Sequence, residues 1–278
     1  MGGWEILVIN NNSTDATPEV CEEFAGKLPL HYHVEKRQGK SYALNTAISL
    51  AKGEVLLFTD DDVTVPPEWV QCYLDAAQTR PEASFFGGKI IPEWDQPPPK
   101  WLEEHHDLVD GITVSYSRGD TPCIVSDNQK PFFGANFAIR KEALDCSGIR
   151  FQTDLGLIGS QRIGGEEQVL IAELIEKGHL GYYMPEAFVY HWTSPDRMTE
   201  KYIWKWYASY GRLEAKLGQI PCTNLWFRVP RYLWRELLVN ICFYLITRFL
   251  GTPQRWLRHE KQAAFAWGAI SEIRNHSK

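Results

Sequence analysis

The chain has 278 residues, of which 44% are hydrophobic and 23% charged, a composition typical of a soluble globular protein with a substantial core. Its formal net charge of -6 argues against non-specific nucleic-acid binding as the main activity, because such binding needs a cationic field. The six cysteines form no CxxC pair and show no zinc-ligand spacing, so we expect reduced core thiols of a cytoplasmic protein and no disulfide framework.

The first predicted strand, residues 4–9, is apolar and β-branched and runs into a loop of short polar side chains over 10–17. Asp15 or Thr17 is the expected N-cap of the following helix, which has Pro18 in its first turn. Such a loop either binds the base or ribose of a nucleotide or is a simple capping turn. These residues alone leave both interpretations open.

A second short strand over 31–34 leads to a turn that contains Arg37, Gly39 and Lys40, and a helix follows over 41–51. Glycine permits close approach of the backbone, and the two cations lie at the positive end of the helix dipole. This combination suits a diphosphate. The alternation of strands and helices predicts a parallel, doubly wound α/β sheet.

The next strand, 54–58, is almost entirely apolar and ends in three consecutive carboxylates, Asp60, Asp61 and Asp62. Three like charges repel one another unless a cation lies among them, so a divalent metal with oxygen ligands is the first hypothesis. The alternative is a solvated acidic turn.

Further along the chain, the proline-rich stretch 92–99 opens a region, 93–130, that we expect to be irregular. An apolar strand interrupted by small residues follows over 131–140. Glu166 and Glu167 begin a periodic helix, where acids are also favoured simply as partners of the helix dipole. Two short β segments then end at His191, which is either structural or a metal ligand.

From about residue 196 the sequence predicts three amphipathic helices rich in Trp, Tyr and Arg, over 199–217, 225–250 and 254–274. The most apolar part, 237–250, is roughly 21 Å long as a helix, too short for a hydrocarbon core of roughly 30 Å. Contact with a membrane interface and packing onto the preceding domain both remain open. We therefore predict a catalytic domain over 1–195 and a helical extension over 196–278.

Taken in order, five motifs resemble those of the family 2 glycosyltransferases, which are inverting enzymes of the GT-A fold. They are the polar loop 10–17, Gln38-Gly39-Lys40-Ser41, Asp60-Asp61-Asp62, Phe133-Gly134-Ala135-Asn136 and Gly165-Glu166-Glu167. The resemblance covers nearly the first 215 residues. Asn10 and Glu167 depart from it, because the family usually has Asp at both positions.

The resemblance implies roles for individual residues. Glu167 would be the catalytic base, with Glu166 as the alternative, and Asp62 and His191 would hold Mn²⁺ or Mg²⁺. Donor-binding residues would be Asn10, Asn12, Asp15, Gly39, Lys40, Asp60, Asp61 and Arg197. The expected donor is a nucleotide-sugar, with a UDP-sugar favoured.

The resemblance also implies the reaction, which is metal-dependent, inverting transfer of a hexose to the hydroxyl of a glycan or lipid-linked acceptor, in cell-surface glycan or polysaccharide synthesis. We expect a location in the cytoplasm or peripherally at the inner face of the membrane, and no nucleic-acid partner. The resemblance also implies one further strand and helix before residue 4. We therefore expect either a truncated chain, with part of the donor pocket left open, or another segment in the place of that unit. The alternatives are a catalytically impaired nucleotide-sugar binder and, from Asp60, Asp62 and Thr64, a DxDxT phosphatase.

Overall fold

The computed structural model describes residues 3–127, 129–158, 161–221 and 223–275. The chain forms two compact units. The first comprises Met1–Ile90 and Tyr116–Val189, and the second comprises Ile91–Ser115 and Tyr190–Lys278. The predicted domain boundary at 195/196 stays a prediction, although residues 91–115 pack with the helical part of the chain.

The secondary structure alternates between strands and helices in the first unit and is mainly helical in the second. The strands are β1 (Ile6–Asn10), β2 (Leu30–Val34), β3 (Val55–Phe58), β4 (Val63–Thr64), β5 (Ala83–Trp94), β6 (Cys123–Val125), β7 (Phe137–Arg140), β8 (Gly156–Ile158), β9 (Gln161–Ile163), β10 (Leu180–Thr193), β11 (Leu225–Trp226) and β12 (Val229–Pro230). The helices are α1 (Thr17–Ala25), α2 (Lys40–Leu50), α3 (Trp69–Thr79), α4 (Lys100–Glu103), α5 (Asp110–Thr113), α6 (Lys141–Ser147), α7 (Glu166–Glu176), α8 (Glu200–Lys216), α9 (Arg231–Leu250) and α10 (Pro253–Asn275).

The first βαβ segment is parallel, as the spacing predicted. β1 pairs with β2 from Ile6 opposite Leu30 to Asn10 opposite Val34, and α1 forms the crossover. The carboxyl ends of both strands therefore meet at one edge of this small sheet. The loops after Asn10 and after Val34 begin side by side there.

The larger sheet has the order β3-β7-β5-β10-β4, with β6 paired to β10. β7 is antiparallel to both β3 and β5, so β3 and β5 run in the same direction and the sheet is mixed. The α/β class predicted from the sequence is confirmed. The antiparallel insertion of β7 was not visible from strand and helix spacing, because it depends on the return of the chain after a long connection.

Three local predictions were wrong. The region 93–130 is not all irregular, since α4, a 3-10 turn at His106–Val109 and α5 bury Leu102, Val109 and Ile112. The two β segments before His191 are one strand, β10. Not every cysteine is a core thiol, because Cys146 and Cys242 are exposed, whereas Cys222 lies outside the described residues.

In the second unit, α10 packs against α8 and α9. The core between these helices is built from small and branched side chains, which are Ile220, Val229, Leu233, Leu237, Ala263, Ala266, Ala269 and Ile270. Gly268 lies against the carbonyl oxygen of Ala208, where a Cβ atom would not fit. Among the described residues, none of the helices combines the length and apolar character that crossing a membrane requires.

Glu260 on α10 is buried, and its Oε2 atom accepts no hydrogen bond from the described residues. Burial raises the pKa of Glu260 to about 8, with a further contribution from Glu200 and an opposing one from Arg248. An acid whose pKa is raised in the folded state lowers the folding stability of the protein as pH rises from the unfolded pKa to the folded pKa. The reason is that the acid ionises in the unfolded chain before it ionises in the folded one.

We therefore expect the stabilisation by Glu260→Gln, relative to the unmodified chain, to be about 3 kcal/mol larger at pH 8 than at pH 5. Urea unfolding at the two pH values measures this difference. Glu19→Gln is the control, because Glu19 is exposed, and it should change the free energy of unfolding by a similar small amount at both pH values. An equal effect of Glu260→Gln at pH 5 and pH 8 would contradict the assignment.

Candidate active site

The polar loop after β1 is tied to the loop after β2 by the side chain of Asn11. Its Nδ2 atom donates to the carbonyl oxygens of Glu35 and Arg37 at 2.9 and 2.7 Å. Its Oδ1 atom accepts from the backbone N–H of Gly39 at 2.7 Å. Three hydrogen bonds from one amide thus fix the turn that leads into α2. Asn11 was not among the residues predicted for the site.

The two neighbouring asparagines also stabilise this loop. Asn10 donates to the hydroxyl of Tyr32 at 2.6 Å and accepts from the backbone N–H of Ser13 at 2.7 Å. Asn12 has a positive φ of 64° and donates to the carbonyl oxygen of Lys36 at 3.0 Å. Asn10 and Asn12 therefore lie in the loop as predicted, and their amide groups make hydrogen bonds that stabilise its conformation.

Asp15 is exposed at the entry to α1 and accepts hydrogen bonds from the N–H and hydroxyl of Thr17. These bonds lower the pKa of the Asp15 carboxyl. The N-cap of α1 is Ala16, so the expectation of Asp15 or Thr17 at that position was wrong, and the Asp15 contacts are local ones to the first residue of the helix. The predicted donor contact of Asp15 stays a prediction.

The turn before α2 requires glycine at one position. Gly39 has a φ of 140°, a conformation that residues with a Cβ atom rarely adopt. Arg37, which the sequence offered as a diphosphate cation, forms a bidentate pair with Glu35 at 2.9 and 2.7 Å. Hydrogen bonds from Arg37 and Thr46 hold the pKa of Glu35 far below its usual range. Within this turn, Lys40 is the cation that faces the acidic residues.

Lys40 lies at the centre of a cluster of carboxylates. Its Nζ atom is 3.0 Å from Asp60, 3.3 Å from Glu167 and 3.8 Å from Glu166. Burial disfavours the ammonium ion, but the charges of Glu167, Asp60 and Glu166 outweigh that effect and raise the pKa of Lys40. The structure therefore brings one predicted donor-binding cation together with both candidate bases and one acid of the triplet.

Two glycines set the position of Glu167. Gly165 is the N-cap of α7 with a φ of 98°, which allows the chain to turn directly into the helix. Gly134 lies against the carboxylate of Glu167, and a Cβ atom on Gly134 would collide with Oε1. The side chain of Glu166 is 6% exposed and that of Glu167 is 12% exposed, so both acids are held in partly desolvated positions.

The acidic triplet occupies the turn between β3 and β4. Ligand atoms of Asp60, Asp62 and His191 lie within 4.8 Å of one another, and His191 is on β10, the neighbour of β4 in the sheet. The Nδ1 atom of His191 lies 3.0 Å from the carbonyl oxygen of Trp192. Two carboxylates and an imidazole form a donor set that fits Mn²⁺ or Mg²⁺.

The remaining predicted residues are less constrained. Asp61 is exposed in the turn, between the two acids of this metal cluster. Arg197 belongs to a 3-10 turn at Pro195–Met198 in the second unit. The roles predicted for Asp61 and Arg197 stay predictions.

The profile described as Glycosyl transferase family 2 matches residues 2–148, more than half of the chain. The chain belongs to glycosyltransferase family 2, and the resemblance given by the five motifs is confirmed. The protein is therefore a glycosyltransferase.

The curated relatives are distant and longer than this chain. The glucosyl-dolichyl phosphate glucuronosyltransferase of Haloferax volcanii is 24% identical over 191 residues, which are 67% of this chain and 58% of that protein. The succinoglycan biosynthesis protein ExoM of Rhizobium meliloti is 22% identical over 215 residues, which are 76% of this chain and 64% of that protein. The chain thus spans less than two thirds of the length of either relative.

Solved structures share the fold. The mannosyltransferase PcManGT from Pyrobaculum calidifontis, solved with GDP-Man and Mn²⁺, has a TM-score of 0.60 at 17% identity, over 98% of this chain and 78% of that one. Residues 1–349 of S. aureus TarS, solved with UDP-GlcNAc, give a TM-score of 0.50 at 15% identity, over 99% and 83% of the two chains. The GT-A fold predicted from the motifs is confirmed.

Proposed function

We propose that the chain is a metal-dependent, inverting transferase that moves a hexose from a nucleotide-diphosphate sugar to an acceptor hydroxyl. The observation that carries this proposal is the cluster of Lys40 with Asp60, Glu166 and Glu167. It gathers a cation for the donor diphosphate and acids for deprotonating the acceptor. PcManGT was solved with GDP-Man and Mn²⁺, and this supports a nucleotide-sugar and a divalent metal here.

In this proposal Asp62 and His191 hold Mn²⁺ or Mg²⁺, and Asp60 lies within the same group of ligand atoms. A bound divalent ion would stabilise the negative charge that develops on the departing diphosphate. Lys40 supplies a second positive charge beside the same acids. Asn10, Asn12 and Gly39 shape the loops that would receive the nucleotide, for which a UDP-sugar remains our expectation.

Glu167 is the proposed base. A base on the face opposite to the leaving diphosphate takes the proton of the acceptor hydroxyl as the new glycosidic bond forms, which inverts the anomeric centre. The carboxylate of Glu167 lies at the start of α7, against Gly134 and 3.3 Å from Lys40, and these contacts orient it. Glu166 is more buried and farther from Lys40, which makes it the alternative.

For the acceptor we propose a glycan or lipid-linked saccharide used in cell-surface glycan synthesis. The names of two relatives support this class, since one is a glucosyl-dolichyl phosphate glucuronosyltransferase and the other a succinoglycan biosynthesis protein.

The test is a binding and turnover panel of nucleotide-sugars with and without Mn²⁺, applied to the unmodified chain, Asp62→Asn and Asp61→Asn. We expect Mn²⁺ to strengthen the binding of a preferred donor. Asp62→Asn should weaken donor binding in the presence of Mn²⁺ at least tenfold. Asp61→Asn is the control for the metal alone. Because Asp61 is exposed and outside the ligand cluster, the ratio of donor affinities with and without Mn²⁺ should stay unchanged, whatever the predicted donor contact of Asp61 contributes. Calorimetric titration measures the affinities.

Unchanged metal-dependent binding in Asp62→Asn would remove Asp62 from the metal site. Nucleotide binding without any donor turnover would instead support an impaired nucleotide-sugar binder. Release of phosphate from a simple monoester, with no attack on nucleotide-sugars, would favour the phosphatase alternative.

A further inference from the structure

Helix α9 exposes an unusually apolar surface. We call this surface the α9 face, and its residues are Leu238, Val239, Cys242, Phe243, Leu245, Ile246, Phe249 and Leu250, all exposed. Phe249 and Leu250 are the most open, at 83% and 86%. With a turn of roughly 100° per residue, the eight positions lie within roughly 160° of the helix circumference. They therefore form one continuous stripe roughly 18 Å long.

Scattered apolar side chains on a protein surface need no explanation, but a contiguous stripe does. The opposite side of α9 is accounted for, because Leu233 and Leu237 belong to the core shared with α10. The side chains of the α9 face are thus not part of the core of the second unit.

Cations lie at both ends of this stripe. Arg231 and Arg235 precede it on the same side of α9, and Arg255 and Arg258 follow it in the first turns of α10. The His259 ring stacks on Phe243 at 5.3 Å, which places this part of α10 beside the stripe. On α9 itself the single acid is Glu236, whose carboxylate accepts from Asn240.

The positive charges of the chain are concentrated in its C-terminal part, which contains the α9 face. Residues 196–278 contain fourteen lysines and arginines against six acids, whereas residues 1–195 contain fifteen against twenty-nine. The C-terminal part is therefore strongly cationic, although the net charge of the whole chain is -6. A cationic rim around an apolar stripe matches the two layers of an anionic membrane surface.

A second exposed aromatic group lies beside the beginning of α9. The β11–β12 hairpin carries Trp226 and Phe227, which are 54% and 72% exposed, and the Trp226 ring contacts that of Trp234 on α9. A surface depression next to them is lined by Phe227, Arg228, Trp234 and Arg274. Aromatic rings together with arginines are favoured at the level of lipid headgroups.

We propose that the α9 face and the β11–β12 hairpin form a surface that binds bilayers of anionic phospholipid. The apolar stripe enters the boundary between headgroups and acyl chains, and the arginines contact headgroup phosphates. A second copy of the chain is a poorer occupant, because two such surfaces would bring rims of the same charge together. This inference does not depend on the proposed transfer reaction.

The test is cosedimentation of the full chain with vesicles of phosphatidylcholine alone or containing 30% phosphatidylglycerol. We expect binding to the anionic vesicles that weakens at high salt. Phe249→Ser with Leu250→Ser should lower vesicle affinity about tenfold or more, since it removes two of the most exposed apolar groups. Arg255→Gln with Arg258→Gln should lower it about tenfold on the anionic vesicles.

Val70→Ser with Leu74→Ser is the matched control, because these exposed apolar residues are on α3 in the first unit. Its vesicle binding should equal that of the unmodified chain. Equal binding by the Phe249 and Leu250 double variant would overturn the proposal. Absence of vesicle binding, combined with dimers in sedimentation velocity that the same double variant abolishes, would overturn it in favour of a second copy.

Discussion

Glu167→Gln should lower the rate of sugar transfer about a thousandfold, within the range expected for loss of a general base. Glutamine has nearly the same shape and still reaches Lys40, but it cannot accept the proton of the acceptor hydroxyl. Nucleotide affinity should change less than threefold, because the proposed donor contacts of Lys40 and Asp60 remain. Initial-rate assays with a donor found in the nucleotide-sugar panel, together with calorimetric titration of the nucleotide, measure the two effects.

Glu166→Gln is the comparison that separates the two candidate bases. If Glu166→Gln loses more activity than Glu167→Gln, the base is Glu166, and the assignment from the distances to Lys40 is wrong. Retention of more than a third of the original rate by both variants would contradict the mechanism altogether.

Gly134→Ala gives an independent check on the position of Glu167. The added methyl group would collide with Oε1 of Glu167 and displace its carboxylate, so we expect about a tenfold lower rate. Gly53→Ala is the control, because a Cβ atom there meets the carbonyl oxygen of Val55 at an ordinary 3.6 Å. Equal rates for the two alanine variants would show that Gly134 does not position the base.

The sequence singled out candidate site residues whose chemistry is visible without the fold. Three carboxylates after an apolar strand and a pair of acids at a helix start indicate a charged ligand wherever they lie. The parallel pairing of β1 with β2 also followed from local patterns, because a short strand, helix and strand have few other arrangements. The sequence singled out Asp60, Lys40 and Glu167 one by one, but it did not predict that Lys40 pairs with both acids.

The contacts that hold the site together were not predictable in the same way. Asn11 and Asn12 are chemically identical neighbours, yet only Asn11 bonds to Gly39, whereas Asn12 donates to Lys36, and the sequence does not predict this division. Arg37 is a cation in the expected turn, yet its pairing with Glu35 depends on side-chain directions. The antiparallel insertion of β7 depends on a long connection with no local signal. Where a contact joins distant segments, composition and spacing carry little information about it.

Asn136 is the clearest example of such a long-range contact. The sequence predicted only that Asn136 lies in an apolar strand over 131–140, but its amide is almost completely buried and links three other segments of the first unit. Its Oδ1 atom accepts from Trp69 Nε1 at 2.8 Å and from the Tyr73 hydroxyl at 2.7 Å. Its Nδ2 atom donates to the carbonyl oxygens of Lys89 and Ala187 at 2.9 and 2.7 Å.

Asn136→Ala should therefore destabilise the protein by about 4 kcal/mol, because it leaves two buried donors and two buried carbonyl groups without this partner. Tyr73→Phe removes one member of the same network and should cost about 1 kcal/mol. Asn45→Ala is the matched control, since Asn45 is half-buried and bonds to the backbone of Phe151, and it should also cost about 1 kcal/mol. Urea unfolding measures the free-energy change of all three variants from the shift of the midpoint, provided that the dependence of the free energy of unfolding on urea concentration is unchanged. A loss for Asn136→Ala no larger than that for Asn45→Ala would show that water or relaxation satisfies the vacated groups, and that the network does not anchor β7 to α3, β5 and β10.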